Sequence, residues 1–297
     1  MKRKIVFFLC LVIIAFVFYW FKAIAPQLWS SQRQYNLVLL GTKDLVLLSC
    51  DPVNETSFFV SFPLDLSVES FGQYGEFKIS KLTGLALQEK EPGIVPKTIE
   101  YNFGLAVDLW VSHNQDWVGD RLGFVRGQLN KLAILGKHLS FSERINLLKV
   151  SRFLGQGHLV WESKEGQREF STKEGEILKL NQETWDTWAS VYLADPVLKK
   201  EKIPIAIYNT TSVEGWGGKL ERVLTNMGMS VVVVKDSSRE EESCLLGLDS
   251  ASQKGSWTYK RLVNVISPCR EQVLSGDEFK DPTQINIYLG ENFFQIR

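Results

Sequence analysis

Residues Ile203–Val234 read IPIAIYNTTSVEGWGGKLERVLTNMGMSVVVV, and this stretch decides the fold class. Ile203–Tyr208 is a short apolar run of strand length. From Gly217 to Met227 the apolar residues Leu220, Val223, Leu224 and Met227 recur at helical spacing, so one face of a helix is apolar. Gly228 follows as a helix-ending glycine should. Ser230–Val234 is a second strand. A strand, a helix and a strand in succession predict a parallel pair with the helix crossing over it. Downstream, Cys244–Leu248 reads as a strand, Trp257–Ile266 as a helix and Gln284–Leu289 as a last strand before Gly290. Residues 203–297 are therefore expected to form a small C-terminal α/β domain.

The loop Asn209–Gly218 joins the first of these strands to its helix. A glycine-rich loop ahead of a helix can cradle phosphate on the free N–H groups of the first turn. Here Gly215, Gly217 and Gly218 lack the spacing of a dinucleotide or P-loop fingerprint. Glu214 also brings negative charge to that place, where it complements the helix dipole itself. The residues argue against a nucleotide site.

Upstream, Asn36–Leu40, Leu45–Cys50 and Ser57–Phe62 are apolar runs split by Gly41–Asp44 and Asp51–Asn54. Runs without alternation predict strands buried on both faces. Ala106–Val111 reads as a further strand. Leu122–Leu135 has helical periodicity. Ser140 and Glu143 form a capping box ahead of a helix carrying Leu147, Val150 and Leu154. His158–Trp161 reads as a strand, a charged stretch runs to about Glu176, and Trp185–Leu198 as a helical connector. Lys199–Lys202 then reads as a solvated boundary between domains. The expected organisation is an α/β domain over 35–176, a connector over 177–202 and the C-terminal domain.

Ile5–Phe21 carries no charge over 17 residues, and the apolar run continues to Ala25 with Lys22 alone interrupting. A helix of this length covers roughly the hydrocarbon thickness of a bilayer. Lys2, Arg3 and Lys4 precede it, which places the N-terminus in the cytoplasm and everything after Ala25 outside. Residues 1–25 are thus expected as a single transmembrane anchor and 26–34 as a linker. A cleaved signal peptide ending at Ala23-Ile24-Ala25 is the competing reading. Both place the bulk of the chain outside the cytoplasm.

Thirty-four basic and 34 acidic residues cancel, and no basic stripe stands out, which argues against nucleic acid as a partner. With no CxxC and scattered histidines, neither a metal site nor a cofactor is expected. Of the cysteines, Cys10 lies in the apolar run, and Cys50, Cys244 and Cys269 are in a compartment where disulfides persist. Cys244 opens a strand and Cys269 follows the next helix, so the chain's return can bring the two into bridging range. A Cys244–Cys269 disulfide is expected, with three buried thiols as the alternative.

The residues Ile205–Thr211, Gly215, Gly217, Leu224, Gly228 and Val231, with Ile285–Gly290, resemble the LytR C-terminal domain over about residues 203–293. The resemblance implies an extracytoplasmic envelope module whose motif turn is Asn209, Thr210, Thr211, Gly215, Gly217 and Gly228. Thr210 stands where the family has glycine. The stretch LVLLGTKDLVLLSCDPVNETSFFVSFPLDLSVE, with Gly75–Leu82 and Gly104–Val111, resembles the start of the LytR-CpsA-Psr domain. Active members of that family attach glycopolymers to peptidoglycan, holding Mg²⁺ and a lipid pyrophosphate. The resemblance puts Asp44 and Asp65 at the carboxylate positions and leaves Arg126 as a weak echo of the arginine-rich segment. Leu64 replaces the arginine of the family's P-R-D turn. Pyrophosphate calls for bidentate guanidinium, so its loss implies a catalytically degenerate relative. The expected role is a membrane-anchored scaffold binding envelope proteins or wall glycan. The alternative is an active Mg²⁺-dependent phosphotransferase using Asp44 and Asp65; a transcriptional regulator conflicts with the expected topology.

Overall fold

The computed structural model describes residues 33–72, 74–112, 121–135, 140–156, 159–163, 170–237, 241–266, 269–274 and 281–294, together with Tyr19. Apart from Tyr19 the expected anchor lies outside the described residues, and the linker enters them only at Arg33. Among the described residues no helix is long and apolar enough to cross a membrane. The chain divides into two compact units, one of residues 1–31 with 117–158 and one of residues 32–116 with 159–297.

The larger unit is a mixed α/β structure. Its first sheet is a meander of β1 (Tyr35–Leu40), β2 (Asp44–Asp51) and β3 (Thr56–Pro63). Neighbouring strands of the meander pair antiparallel. Turn residues at 41–43 and 52–55 are short enough to fold each strand back on the last. Parallel strands flank the meander, β6 (Leu109–Ser112) on β1 and β7 (Leu159–Ser163) on β3. The strand expected at Ala106 starts later: Ala106 supplies its carbonyl to the Asn36 amide, and Asp108 turns its carboxylate to the Asn36 N–H. One face of this sheet (Val38, Leu40, Leu45, Leu47, Val60 and Phe62) shares a core with the helices α1 (Ile79–Glu89), α2 (Ile94–Phe103) and α5 (Gln182–Tyr192). Trp185 of α5 is fully buried among Phe62, Phe103 and Phe170, and its indole N–H donates to the Phe103 carbonyl.

A small second sheet joins β4 (Ser67–Glu69), β5 (Glu76–Lys78), β8 (Ser171–Glu174) and β9 (Ile177–Leu180) in the order β5-β4-β9-β8. The charged stretch that runs to about Glu176 contains the strand β8. Its side chains are polar because β8 is an exposed edge.

The third sheet contains β10 (Pro204–Asn209), β11 (Ser230–Asp236), β12 (Leu245–Leu248), β13 (Arg270–Val273) and β14 (Ile285–Leu289), in the order β11-β10-β14-β12-β13. β10 is parallel to both β11 and β14, and α7 (Trp216–Asn226) links β10 to β11. The β10–β11 register passes from Ile205–Val231 to Ala206–Val233, leaving Val232 as a bulge on an edge strand. Leu220, Val223 and Leu224 of α7 and Leu262 and Val265 of α8 (Trp257–Ile266) fill the core on this sheet. Cys244 and Cys269 form a disulfide with Cα atoms 4.5 Å apart, and Cys50 is a buried free thiol.

The connector breaks into two helices at Leu193–Asp195. Pro196 stands at the first turn of α6 (Pro196–Glu201), and the Asp195 carboxylate caps it through the Val197 N–H at 2.8 Å. In the charge run 199–202, Lys199, Lys200 and Lys202 are exposed, while Glu201 accepts from the N–H groups of Trp257 and Thr258 and caps α8. A buried ion pair also joins 35–112 to the C-terminal region, because Arg261 grips Asp108 through both terminal guanidinium nitrogens, Nη1 and Nη2.

The smaller unit contributes α3 (Arg121–Leu135) and α4 (Phe141–Leu154), which are in contact. The capping box forms: the Glu143 N–H donates to Ser140 Oγ and the Ser140 N–H to Glu143 Oε2.

Candidate functional site

Asp44 opens β2 and stands in register with Pro63, the last residue of β3, so Asp44 and Asp65 share one end of the first sheet. The Asp44 carboxylate accepts from the Ser61 hydroxyl at 2.7 Å, while Asp65 is exposed in the turn. Leu64 packs its side chain against the first core, and its carbonyl accepts from the Ser80 N–H at 2.9 Å. The turn is therefore bound to the start of α1 through backbone and apolar contacts. Arg126 belongs to the smaller unit, where its guanidinium occupies the space a Cβ on Gly155 would need. Among the described residues no group of three or more metal-ligating side chains assembles.

The motif turn of the C-terminal region holds itself together. Asn209 donates to the Val213 carbonyl at 2.9 Å and to Asp236 at 3.2 Å, and accepts from the Thr211 hydroxyl at 2.8 Å. The Thr210 hydroxyl donates to the Leu289 carbonyl, which fastens the loop to β14. Gly215 ends the loop in the left-handed region (φ +84°) and leaves α7 without a side-chain cap. Gly217 is required by close approach, since a Cβ there would lie 3.0 Å from Val234 Cγ1. Gly228 has φ +94° and packs beneath Lys199. The polar groups of Asn209, Thr210 and Thr211 are engaged within the loop or on the neighbouring strands.

Beside that uncapped helix end lies a cavity of about 270 Å³, lined among others by Glu69, Tyr101, Asn102, Gln182, Lys219 and Arg222. Lys219 pairs with Glu69 at 2.7 Å and lies over the Trp216 ring. Arg222 bridges to Asp186 at 2.5 Å and donates to the Asn102 carbonyl at 2.8 Å, while its Nη2 is buried without a partner. The Tyr101 hydroxyl is likewise buried without a partner. Burial, and then the Glu100 charge, push that phenol well above its ordinary pKa, so it stays protonated. The lining offers donors from a helix N-terminus, two cations and the Gln182 amide, a set that suits a hydroxylated or anionic group, while the Asn102 NH2 already donates to the Glu69 and Thr98 carbonyls. Sequence reasoning missed this place because its residues come from β4, α2, α5 and α7. Each has an ordinary local role, and only the fold brings them together.

No protein-family model matches the sequence, and no curated protein matches it. Solved structures similar to the chain include LytR-CPS2A-psr family proteins. One is the family protein YwtF (TagT) with bound octaprenyl pyrophosphate lipid, 13% identical over 54% of this chain and 89% of that one, with a TM-score of 0.36. Others are TagU of B. subtilis, at 14% identity over 52% and 93% with a TM-score of 0.36, and TagT of B. subtilis, at 16% over 54% and 89% with a TM-score of 0.37. All three scores lie below one half.

Proposed function

We propose that the chain is a membrane-anchored, extracytoplasmic binding protein of the bacterial cell envelope, supporting cell-wall glycopolymer assembly without transferring phosphoryl groups itself. Residues 35–176 act as a degenerate LytR-CpsA-Psr-like domain and residues 203–297 as a LytR C-terminal domain. Envelope proteins or wall glycan are the partners. The observation that carries this reading is the state of the sheet-end turn. Asp44 is engaged by Ser61, and Leu64 fills core space where pyrophosphate chemistry would need a cation. One observation favours the phosphotransferase alternative: the register brings Asp44 and Asp65 to the same sheet end.

The test is to incubate the purified chain with a polyprenyl-pyrophosphate-linked glycan, with and without Mg²⁺. Neither hydrolysis nor transfer is expected. Losing one charge-stabilising donor costs about 10²–10³-fold in rate, and Leu64→Arg alone should not restore turnover. Mg²⁺-dependent turnover that disappears in Asp44→Ala or Asp65→Ala would replace the binding reading with the enzymatic one.

A further inference from the structure

The chain's charge cancels overall, yet residues 117–158 hold seven cations (Arg121, Arg126, Lys131, Lys137, Arg144, Lys149 and Arg152) against Asp120 and Glu143. This stretch therefore carries +5, and the rest of the chain −5. Most of it folds as α3 and α4, and α4 has two unlike faces. Leu147, Val150 and Leu154 are buried. On the other side Phe141 is 54% exposed and Leu148 43% exposed, with Ile145 half-buried between them. At 100° per residue, Phe141, Ile145, Leu148 and Arg152 fall within roughly 60° of arc. Arg144 and Lys149 flank that stripe on its two sides. Glu143 lies on the opposite side, tied into the capping box. Ile134, 68% exposed at the end of α3, adds apolar surface next to the connection that leads to Phe141.

An exposed apolar stripe bordered by cations and free of carboxylates is the pattern of a helix lying in the interface of an anionic bilayer. A soluble polyanion would use the cations and leave Phe141 and Leu148 in water. We propose that the outer face of α4 rests on the anionic lipid surface of the membrane, a second membrane contact besides the N-terminal anchor. This rests on the membrane-anchored reading above.

The full chain, with Cys10→Ser and a nitroxide on Leu148→Cys, is reconstituted into vesicles of phosphatidylcholine alone or mixed with phosphatidylglycerol. Cys50 is buried and the other two cysteines are bridged, so the label has one site. Collisions with lipid-soluble oxygen and with an aqueous nickel chelate then report depth. In the anionic vesicles the label should lie roughly 5–10 Å into the headgroup–acyl boundary. Replacing Arg144, Lys149 and Arg152 with Gln should lower the buried population about fivefold per charge. A label that stays aqueous on anionic vesicles overturns the inference alone, as does one buried equally in both vesicle types. A label immobilised only by an added soluble polyanion assigns the face to such a polymer and also overturns it. If the chain fails to float with vesicles at all, the anchor reading and this inference fall together.

Discussion

Asp108 shows how one carboxylate can hold distant stretches of chain. It accepts the Asn36 N–H and grips Arg261, and both side chains are at least nine-tenths buried. Burial lowers the Arg261 pKa, but the Asp108 charge and hydrogen bond, with the Asp195 and Glu100 charges, together outweigh it and the guanidinium ends above its usual value. Removing one partner strands the other charge in a poor solvent. Asp108→Ala is therefore expected to cost about 3–5 kcal/mol, read from denaturant unfolding. Replacing both with apolar residues should cost far less; equal losses for single and double variants would contradict the pairing argument. Tyr259 makes a gentler case. Burial, then its hydrogen bond to Glu271, push the phenol up to about 12 from 10.0. The neutral form is favoured in the fold, so this contribution is complete below pH 10 and fades as pH rises through about 12. In Glu271→Gln the Tyr259 midpoint, followed by ¹³C-tyrosine NMR, should move back toward 10. An unmoved midpoint rules out the Glu271 contribution.

At the scale of elements, legibility tracks local pattern. β1, β2 and β3 are readable because each apolar run ends at turn residues, and the β10–α7–β11 unit because its periodicity changes twice between Ile203 and Val234. α1 and α2 go unread: their buried residues (Ile79, Leu82, Leu85; Ile94, Val95, Ile99) lie among turn residues and charges that mask the repeat. β4, β5, β8 and β13 are three or four residues long and mostly polar, and become strands only by pairing with neighbours. No local signal marks them. The capping box was legible because both of its partners sit within four residues. Ser140→Ala should remove about 1 kcal/mol, measured by thermal unfolding. A loss below a few tenths would mean that the helix start is held by something else.

For the whole molecule, the sheet-end carboxylates could be read from sequence while the cavity beside α7 could not. Asp44 and Asp65 are close in sequence and joined by one hairpin. Glu69, Tyr101, Gln182 and Lys219 are spread over 150 residues and meet only through tertiary packing. Topology gives the test at this scale. If the basic N-terminus stays inside, as the proposed topology has it, protease added to intact spheroplasts should degrade the region after Ala25. Full protection of that region would overturn the extracytoplasmic assignment.

The bulge at Val232 has a further consequence. Ser230–Asp236 puts four successive valines on the rim of the third sheet, and Val232 is 53% exposed. An uncharged β-branched run with one open side is the kind of template on which chains stack into fibrils. The extra residue interrupts the even rhythm of free N–H and C=O groups that an incoming strand would have to match. Lys235 and Asp236 then end the run with charge. Deleting Val232 to make the strand regular is therefore expected to speed fibril growth, read by light scattering against the unaltered chain.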